Sequence, residues 1–163
     1  MKSLYLVRHA SASIDSPTRK DIDRPLNHTG ISEAEITASF LRKNNVQINL
    51  IISSTAIRAI VTAHIIAKHF FYPLLEIRKE ESIFLNDAVK DFDLIASVKN
   101  SIENIVFVGH NPAITKLANS LCDETVPSFR PAAVTCIEFE IDSWKMLSGE
   151  GKLKFYADPS QMP

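Results

Sequence analysis

The sequence predicts an α/β fold: a three-layer sandwich in which helices cover both faces of a mainly parallel mixed sheet. Short apolar runs typical of buried strands alternate along the chain with segments of helical periodicity. The last two apolar runs are separated only by a polar turn region, which indicates an antiparallel pair at one side of the sheet. Because 163 residues fit one domain, we expect a single domain over residues 1–157 and a frayed tail over 158–163.

The predicted strands and helices follow one another in a regular order. Short apolar runs predict strands at residues 3–7, 49–53, 74–79, 104–109, 133–141 and 151–157. Apolar residues at three- and four-residue spacing predict helices at residues 29–43, 55–71, 89–100 and in a segment that starts at Pro112. Thr29 is the expected N-cap of the first helix, whose buried stripe starts at Ile31, and Asn111 is that of the last.

Composition and charge exclude several classes of protein. Hydrophobic residues make up 45% of the chain, enough for a substantial core, and the formal net charge is −1. This balance creates no global field, so we expect neither a nucleic acid nor a membrane as partner. Cys122 and Cys136 lack the spacing of a metal site or a disulfide scaffold, and the apolar stretch before Arg8 is too short for a signal peptide or a membrane span. We therefore expect a cytoplasmic protein.

Two of the predicted strands end at a histidine. The stretch "LYLVRHA" contains His9 directly after Arg8, and the stretch "IVFVGHN" contains His110 directly after Gly109. In open α/β sheets, ligands bind beyond the carboxyl ends of the strands. If the two strands are neighbours, both imidazoles lie over the same crevice. Taken singly, each histidine could equally be a turn residue with satisfied hydrogen bonds.

A third strand end is followed by an arginine. Arg58 lies in the first turn of the helix that follows Ser54, where a cation opposes the helix dipole at a cost of roughly 0.3–1 kcal/mol. That placement is reasonable if an anion binds to the guanidinium and to the free N–H groups of the helix N-terminus. A solvated surface arginine is the alternative explanation.

These strand ends would gather two arginines and two histidines, with no carboxylate among them. Arginine binds phosphate oxygens with a planar fork, and histidine can act as a nucleophile that becomes phosphorylated. A metal site would need a carboxylate or a third histidine at the same edge, so we expect no metal and no cofactor. The sequence also lacks a P-loop motif. The pattern therefore favours a site for a phosphoryl group formed by Arg8, His9, Arg58 and His110.

Four stretches resemble, in order, the motifs of the histidine phosphatase superfamily: "LVRHA", "DRPLNHTG", "IISSTAIRAIVTA" and "VFVGHNP". The short phosphohistidine phosphatase branch, which often has Arg-His-Ala in the first motif, is the most similar, and the resemblance spans nearly the whole chain. It implies a phosphoglycerate mutase-like fold with His9 as the nucleophile. It also implies that Arg8 and Arg58 bind the phosphoryl oxygens and that His110 is the second histidine of the pocket. Thr55 stands where the family commonly has proline.

The resemblance leaves the general acid unassigned. Many enzymes of the family carry a Glu or Asp after the third strand or in an inserted lobe. Here Glu81 and Asp87 are the candidates, and both could instead be surface carboxylates. An alkoxide leaving group needs a proton, whereas phosphohistidine can leave as imidazole without a dedicated enzyme acid. The short chain also lacks room for a lid, so that a protein side chain can enter the pocket.

We therefore expect a metal-independent phosphatase that removes a phosphoryl group from phosphohistidine on a protein, through a phosphohistidine intermediate of its own. A phosphatase of small phosphorylated molecules is the alternative within the same class. A phosphoprotein-binding module that keeps the anion pocket but turns over poorly is the alternative from a different class. Turnover of an aryl phosphate and of phosphohistidine, with and without a chelator, separates the three.

Overall fold

The protein is built around one mixed sheet, as predicted. In the computed structural model, which describes residues 1–163, the strands are β1 (Lys2–Arg8), β2 (Leu50–Ser54), β3 (Arg78–Glu80), β4 (Asn104–Gly109), β5 (Val134–Phe139) and β6 (Lys152–Ala157). Their order across the sheet is β3-β2-β4-β1-β5-β6. Strands β3, β2, β4 and β1 pair in parallel, and β5 runs antiparallel to both β1 and β6. The C-terminal pair thus forms the antiparallel side of the sheet.

Helices cover both faces of the sheet. They are α1 (His28–Lys43), α2 (Ile57–His69), α3 (Glu81–Phe84), α4 (Ala88–Ala96) and α5 (Ala113–Leu121), with short 3-10 turns at Asp21–Asp23, Leu74–Glu76 and Trp144–Met146. The buried side chains of α1 and α2 belong to one apolar cluster, and those of α3, α4 and α5 to a second. None of the helices is both long enough and apolar enough to cross a membrane.

Strand β1 is buried on both faces, which explains its continuous apolar sequence. Successive side chains of a strand point to opposite faces of the sheet. Leu4 and Leu6 accordingly pack into the cluster with α5, and Tyr5 and Val7 pack into the cluster with α1. A central parallel strand covered by helices on both sides has no solvent-facing position for a polar residue.

The register of the central strands determines which residues meet at the carboxyl edge. Strand β1 pairs with β4 so that Arg8 lies opposite Gly109. The next residues along each strand, His9 and His110, are therefore neighbours. Strand β4 also pairs with β2, which leads into the helix that carries Arg58. Three adjacent parallel strands thus deliver the predicted residues to one edge of the sheet.

Helix α1 begins one residue earlier than predicted and with a different cap. The side chain of Asn27, rather than that of Thr29, accepts the hydrogen bond of the Gly30 N–H group, at 2.8 Å. Asn27 also has the extended backbone of an N-cap residue, whereas Thr29 already lies inside the helix. Ile31, predicted to be buried, is 44% exposed because this cap turns Gly30 and Ala34 towards the core.

Residues 74–79 form a strand only at their end. Leu74–Glu76 form a 3-10 turn after Pro73, and Leu75 is fully exposed. Pairing with β2 begins at Arg78. The prediction was wrong for Leu74–Glu76, because these residues form a turn on the protein surface after Pro73 and do not pair with the sheet.

The connection from β3 to β4 also differs from the prediction. The single helix predicted over 89–100 ends at Ala96, and the short helix α3 precedes it. Helix α4 begins after Asp87, whose side chain accepts hydrogen bonds from the N–H groups of Val89 and Lys90. Asp87 is therefore a helix cap.

The start of helix α5 is capped by a residue that is distant in sequence. The Ala113 N–H group donates to Asn86 Oδ1 at 2.9 Å. Asn111, the predicted cap, instead accepts the Thr115 hydroxyl and donates from its amide to the Phe129 carbonyl. The prediction was wrong because a tertiary contact from the loop after α3 satisfies the first N–H group of the helix.

The C-terminal residues 158–163 are packed rather than frayed. Met162 is only 9% exposed and belongs to the same apolar cluster as α1 and α2. Asp158 is buried and accepts the Ser160 N–H group at 2.9 Å, which forms a turn that returns the chain to the surface of α1. One buried methionine at the end of a polar segment is enough to hold the tail.

We predict that Gly30→Ala destabilises the protein although alanine is the better helix former. A Cβ atom at Gly30 would lie 1.9 Å from the Ser11 carbonyl oxygen, so the loop after β1 would have to move. The expected loss in the free energy of unfolding is at least about 2 kcal/mol by denaturant titration. Ser32→Ala, at an exposed position of the same helix, is the control and should be neutral or slightly stabilising. Equal stability of wild type and Gly30→Ala would contradict the close packing of α1 on Ser11.

Candidate active site

The structure brings His9 and His110 together at the carboxyl edge of the sheet. Their ring centroids lie 5.0 Å apart, with the ring planes tilted by 59°. The His9 N–H group donates to the Gly109 carbonyl at 3.1 Å, so the parallel ladder continues up to the first histidine. The two imidazoles therefore share one pocket beyond β1 and β4.

Arg58 is the charged group at the centre of this pocket. It is the second residue of α2 and is only 6% exposed. Its Nε–H group donates to His9 Nε2 at 3.3 Å. The two other nitrogens of the guanidinium contact Asp21: Nη1 donates to the backbone carbonyl at 2.7 Å, and Nη2 lies 3.0 Å from the carboxylate. Each of the two Nη groups retains one further N–H group for a ligand.

His9 is held with an unprotonated Nε2 atom. Its Nδ1 atom lies 2.8 Å from the Ala10 carbonyl oxygen, which can only accept a hydrogen bond, so Nδ1 carries the proton. Burial lowers the pKa of His9 to about 4, and the charges of Arg58 and Arg8 act in the same direction. At neutral pH the ring is thus uncharged, and the Nε2 lone pair faces the guanidinium of Arg58. This is the protonation state that a nitrogen nucleophile requires.

His110 is also neutral and is firmly held. Its side chain is buried, and its Nε2 atom lies 2.7 Å from the Ser54 hydroxyl oxygen. Burial lowers the pKa of His110 to about 3, with smaller contributions from His9 and Arg58. The Phe84 ring meets the imidazole nearly at right angles, with the centroids 6.0 Å apart. Helix α3, which was not predicted, thus provides one wall of the pocket.

Arg8 is not linked by a hydrogen bond to any of the other three predicted residues. Its Nη1 atom donates to the Phe129 carbonyl at 2.8 Å, and it forms no hydrogen bond with His9, Arg58 or His110. Its Nε–H group is buried without any hydrogen-bond partner. A buried N–H group of a guanidinium without an acceptor is a group that an anion can satisfy.

Two further side chains fix the loop that carries His9. Thr62 Oγ1 accepts the Ala10 N–H group at 3.1 Å and donates to the Arg58 carbonyl at 2.7 Å, so one hydroxyl links this loop to α2. Glu33 accepts both the N–H group and the hydroxyl of Ser11, at 2.8 and 2.9 Å. These contacts hold the residues that follow His9 against both α1 and α2.

Neither candidate for a general acid interacts with the pocket. Asp87 caps α4 and lies 3.9 Å from Lys90, and Glu81 is exposed in the first turn of α3. Neither forms a hydrogen bond or an ion pair with a residue of the pocket. The carboxylate that does reach the pocket is that of Asp21, which the sequence analysis did not identify. No group of three or more His, Cys, Asp or Glu side chains is arranged to hold a metal ion.

A cleft adjoins the pocket on the side of Asp21. It has a volume of about 430 Å³ and is lined by the loop between β1 and α1, including Ile14, Arg19, Asp21 and Arg24. Six of its seven lining residues are polar or charged. The cleft is open to solvent, so that a large substrate can approach the pocket from this side.

A sheet whose strand ends gather two neutral histidines and a buried arginine is the architecture of a hydrolase that acts on phosphoryl groups. The family model described as "Histidine phosphatase superfamily (branch 1)" matches residues 4–83 of the chain. That range contains most of β1, the following residue His9, and α2 with Arg58. This part of the chain is thus similar to the histidine phosphatase superfamily, and the sheet with flanking helices is the phosphoglycerate mutase-like fold.

Individual relatives are similar to this protein over nearly the whole chain. The phosphohistidine phosphatase SixA of Escherichia coli K12 is 23% identical over 98% of this chain and 95% of its own length. A solved SixA-type structure from Agrobacterium tumefaciens is 26% identical, covers 97% of this chain and 99% of its own, and has a TM-score of 0.81. A SixA structure in complex with tungstate is 21% identical, covers 97% of both chains and has a TM-score of 0.77. His110 lies beyond the residues that the family model matches, but within the span of these relatives.

We predict that both histidines of the pocket titrate far below the ordinary histidine value of about 6.5. In the ligand-free protein, NMR signals of the His9 ring should titrate with a midpoint near pH 4 and those of His110 near pH 3. A His9 midpoint between pH 6 and 7 would contradict a neutral nucleophile held beside Arg58.

The same shifts predict how stability depends on pH. Because both folded-state pKa values are lowered, the unfolded chain binds more protons than the folded chain between about pH 4 and 6.5. The contribution of the two histidines to stability is therefore fully present above pH 6.5 and is lost as the pH falls through the folded-state pKa values, about 4 for His9 and about 3 for His110. The slope of unfolding free energy against pH in this range should decrease in His110→Gln, measured by denaturant titration at a series of pH values.

Proposed function

We propose that the protein is a metal-independent phosphatase that removes the phosphoryl group of phosphohistidine on a protein, through a phosphohistidine intermediate at His9. The observation that carries this proposal is the state of His9: the ring is neutral with its proton on Nδ1, and its unprotonated Nε2 accepts only the long hydrogen bond from Arg58 Nε, at 3.3 Å. A neutral imidazole nitrogen next to a fixed cation is suited to attack a negatively charged phosphoryl group.

In the first step, the Nε2 lone pair of His9 forms a bond to phosphorus while the bond from phosphorus to the substrate nitrogen breaks. The electron pair of the broken bond stays on the substrate imidazole. The Nδ1 proton of His9 remains hydrogen-bonded to the Ala10 carbonyl, which stabilises the positive charge that the phosphorylated ring acquires. No proton has to be removed from the nucleophile.

Arg58, Arg8 and His110 would stabilise the charge on the oxygens of the transferring group. Arg58 has two N–H groups left after its contacts with His9 and Asp21, and the Nε–H group of Arg8 is unpartnered. Helix α2 adds the free N–H groups of its first turn, where Ala56 provides no side-chain cap. Positioning and charge stabilisation of this kind account for most of the catalysis of phosphoryl transfer.

In the second step, a water oxygen attacks phosphorus, and the electron pair of the phosphorus–nitrogen bond returns to His9 Nε2. The proton of the water leaves with the phosphate product or enters the solvent. Burial of His9 favours its neutral form, so the enzyme nitrogen is a good leaving group. The cycle ends with inorganic phosphate and the original tautomer.

Three observations favour phosphohistidine over a phosphate ester. The pocket holds no carboxyl group that stays protonated at neutral pH, so an alkoxide leaving group would receive no proton from the enzyme. The solvent-open cleft shares Asp21 with the rim of the pocket, which leaves room on this side for a protein that carries the phosphorylated side chain. The E. coli relative that matches nearly the whole chain is a phosphohistidine phosphatase.

The free cysteines Cys122 and Cys136 fit a reducing compartment, which supports a cytoplasmic location.

We predict that a phosphohistidine-bearing protein is hydrolysed faster than 4-nitrophenyl phosphate, and that a chelator changes neither rate. The measurement is phosphate release with and without excess EDTA. Loss of turnover on chelation would contradict a metal-independent mechanism. Faster turnover of the aryl phosphate would favour a phosphatase of small molecules, and tight phosphate binding without turnover of either substrate would favour a binding module.

Substitutions in the pocket should have graded effects on kcat. His9→Ala should abolish turnover, because the bond to phosphorus cannot form, while part of the phosphate affinity remains with Arg8, Arg58 and His110. His110→Ala should lower kcat by about 10²–10³, since it removes one stabilising group and leaves the nucleophile intact. Arg58→Lys should also be damaging because a point charge does not reproduce the planar fork.

The control for these variants is His28→Ala, which removes an exposed histidine at the start of α1. It should keep wild-type kinetics. Full activity of His9→Ala would rule out His9 as the nucleophile, and an effect of His28→Ala as large as that of His110→Ala would show that the losses reflect folding rather than chemistry.

A further inference from the structure

The loop between β1 and α1 contributes a carboxylate to the pocket. Asp21 opens the 3-10 turn Asp21–Asp23 in this loop, and its backbone and side chain both contact the guanidinium of Arg58. The side chain is 55% exposed, whereas that of Arg58 is 8% exposed. Asp21 therefore lies at the rim of the pocket, directly outside the buried arginine.

The carboxylate of Asp21 bridges two arginines. One oxygen lies 3.0 Å from Arg58 Nη2, and the other lies 3.0 Å from Arg24 Nη1. The hydrogen bond from Arg24 lowers the pKa of Asp21, and the charge of Arg58 adds to this effect. Asp21 is therefore ionised at neutral pH and can accept, but not donate, a hydrogen bond. Each oxygen keeps a lone pair that is not used by an arginine.

Asp21 lies on the side of the pocket where we expect the leaving group of the substrate, rather than at the site of the phosphoryl group. Asp21 is part of the wall of the 430 Å³ cleft, and it also contacts Arg58, which contacts His9. Its negative charge raises the pKa of His110, against the stronger effect of burial, so its charge acts across the pocket. A leaving group that departs between the phosphoryl site at Arg58 and the cleft would pass Asp21, the residue that contacts both.

We propose that Asp21 determines specificity for the leaving group: it favours substrates whose leaving group carries a proton on a ring nitrogen and disfavours substrates that leave as anions. This inference rests on the proposed function and names the feature of the substrate that this part of the site recognises. The Asp21 carboxylate accepts a hydrogen bond from the N–H group of the substrate imidazole, on the ring nitrogen that is not bonded to phosphorus.

The chemistry of phosphohistidine makes this proton important. When the second ring nitrogen is protonated, the bond from phosphorus to nitrogen breaks with the electron pair on nitrogen, and the ring leaves as neutral imidazole. The proton stays on the second nitrogen throughout, and no acid or other reactant is consumed. Without that proton, the ring would have to leave as an imidazolate anion. A fixed carboxylate stabilises the protonated ring, and the same carboxylate repels an alkoxide or phenoxide.

The test compares two small substrates, phosphoimidazole and 4-nitrophenyl phosphate, in wild type and Asp21→Asn. Both substrates are too small for protein docking to influence the comparison. We expect the ratio of kcat/KM for phosphoimidazole to that for 4-nitrophenyl phosphate to fall about ten-fold or more in Asp21→Asn, because an amide cannot stabilise a cationic ring as a carboxylate does. The pH above which phosphoimidazole turnover declines should also be lower in Asp21→Asn than in wild type.

Asp23→Asn is the matched control, because it removes the same charge from the same turn at a residue that bonds Thr18 and not Arg58. It should leave the substrate ratio unchanged. Asp21→Glu keeps the charge and should retain more of the ratio than Asp21→Asn. Thermal unfolding of each variant identifies any loss that comes from folding.

Each outcome decides between distinct conclusions. If Asp21→Asn lowers both activities equally, Asp21 only orients Arg58, and the specificity proposal is wrong. An unchanged ratio in a fully active Asp21→Asn also overturns it, as does a similar change of the ratio in Asp23→Asn. If wild type does not hydrolyse phosphoimidazole or a phosphohistidine-bearing protein at all, it is the proposed function itself that fails.

Discussion

The contact between the buried Arg58 and His9 is the interaction on which the site depends. Burial of His9 lowers its pKa, and the charge of the guanidinium held 3.3 Å from Nε2 acts in the same direction, so this nitrogen stays unprotonated at neutral pH. The same guanidinium needs negative partners, and it has Asp21 on its outer side. The pocket thus combines an uncharged nucleophile with positively charged groups that have N–H groups left to donate. A phosphoryl dianion can accept these hydrogen bonds and balance the charge.

The fold makes this contact possible through three neighbouring parallel strands. Strands β1 and β4 bring the two histidines side by side, and β2 delivers the N-terminus of α2 with Arg58. These positions could be predicted from the sequence, because continuous apolar runs mark buried parallel strands and the first polar residue marks where each strand ends. Placement of ligands at the carboxyl edge then follows for any sheet of this kind.

Other parts of the site could not be predicted, because they depend on contacts between distant segments. Asp21 lies in an irregular loop with no periodic pattern, and only the packing of that loop against α2 brings it to Arg58. Asn86 caps α5 from 27 residues away, so the local preference of Asn111 for a cap had no effect. The candidates Glu81 and Asp87 had the right residue type, but local helix geometry uses Asp87 as a cap and leaves Glu81 exposed. Residue type alone does not distinguish a catalytic carboxylate from a structural one.

The most direct test of this account is to detect the phosphorylated enzyme. Wild type is mixed rapidly with ³²P-labelled phosphohistidine protein, quenched without acid within milliseconds, and digested for mass spectrometry. The account predicts label on His9, in a form that is stable in base and labile in acid, and no label in His9→Ala. Rapid turnover of substrate by wild type with no label on the enzyme at any time point would contradict covalent catalysis by His9.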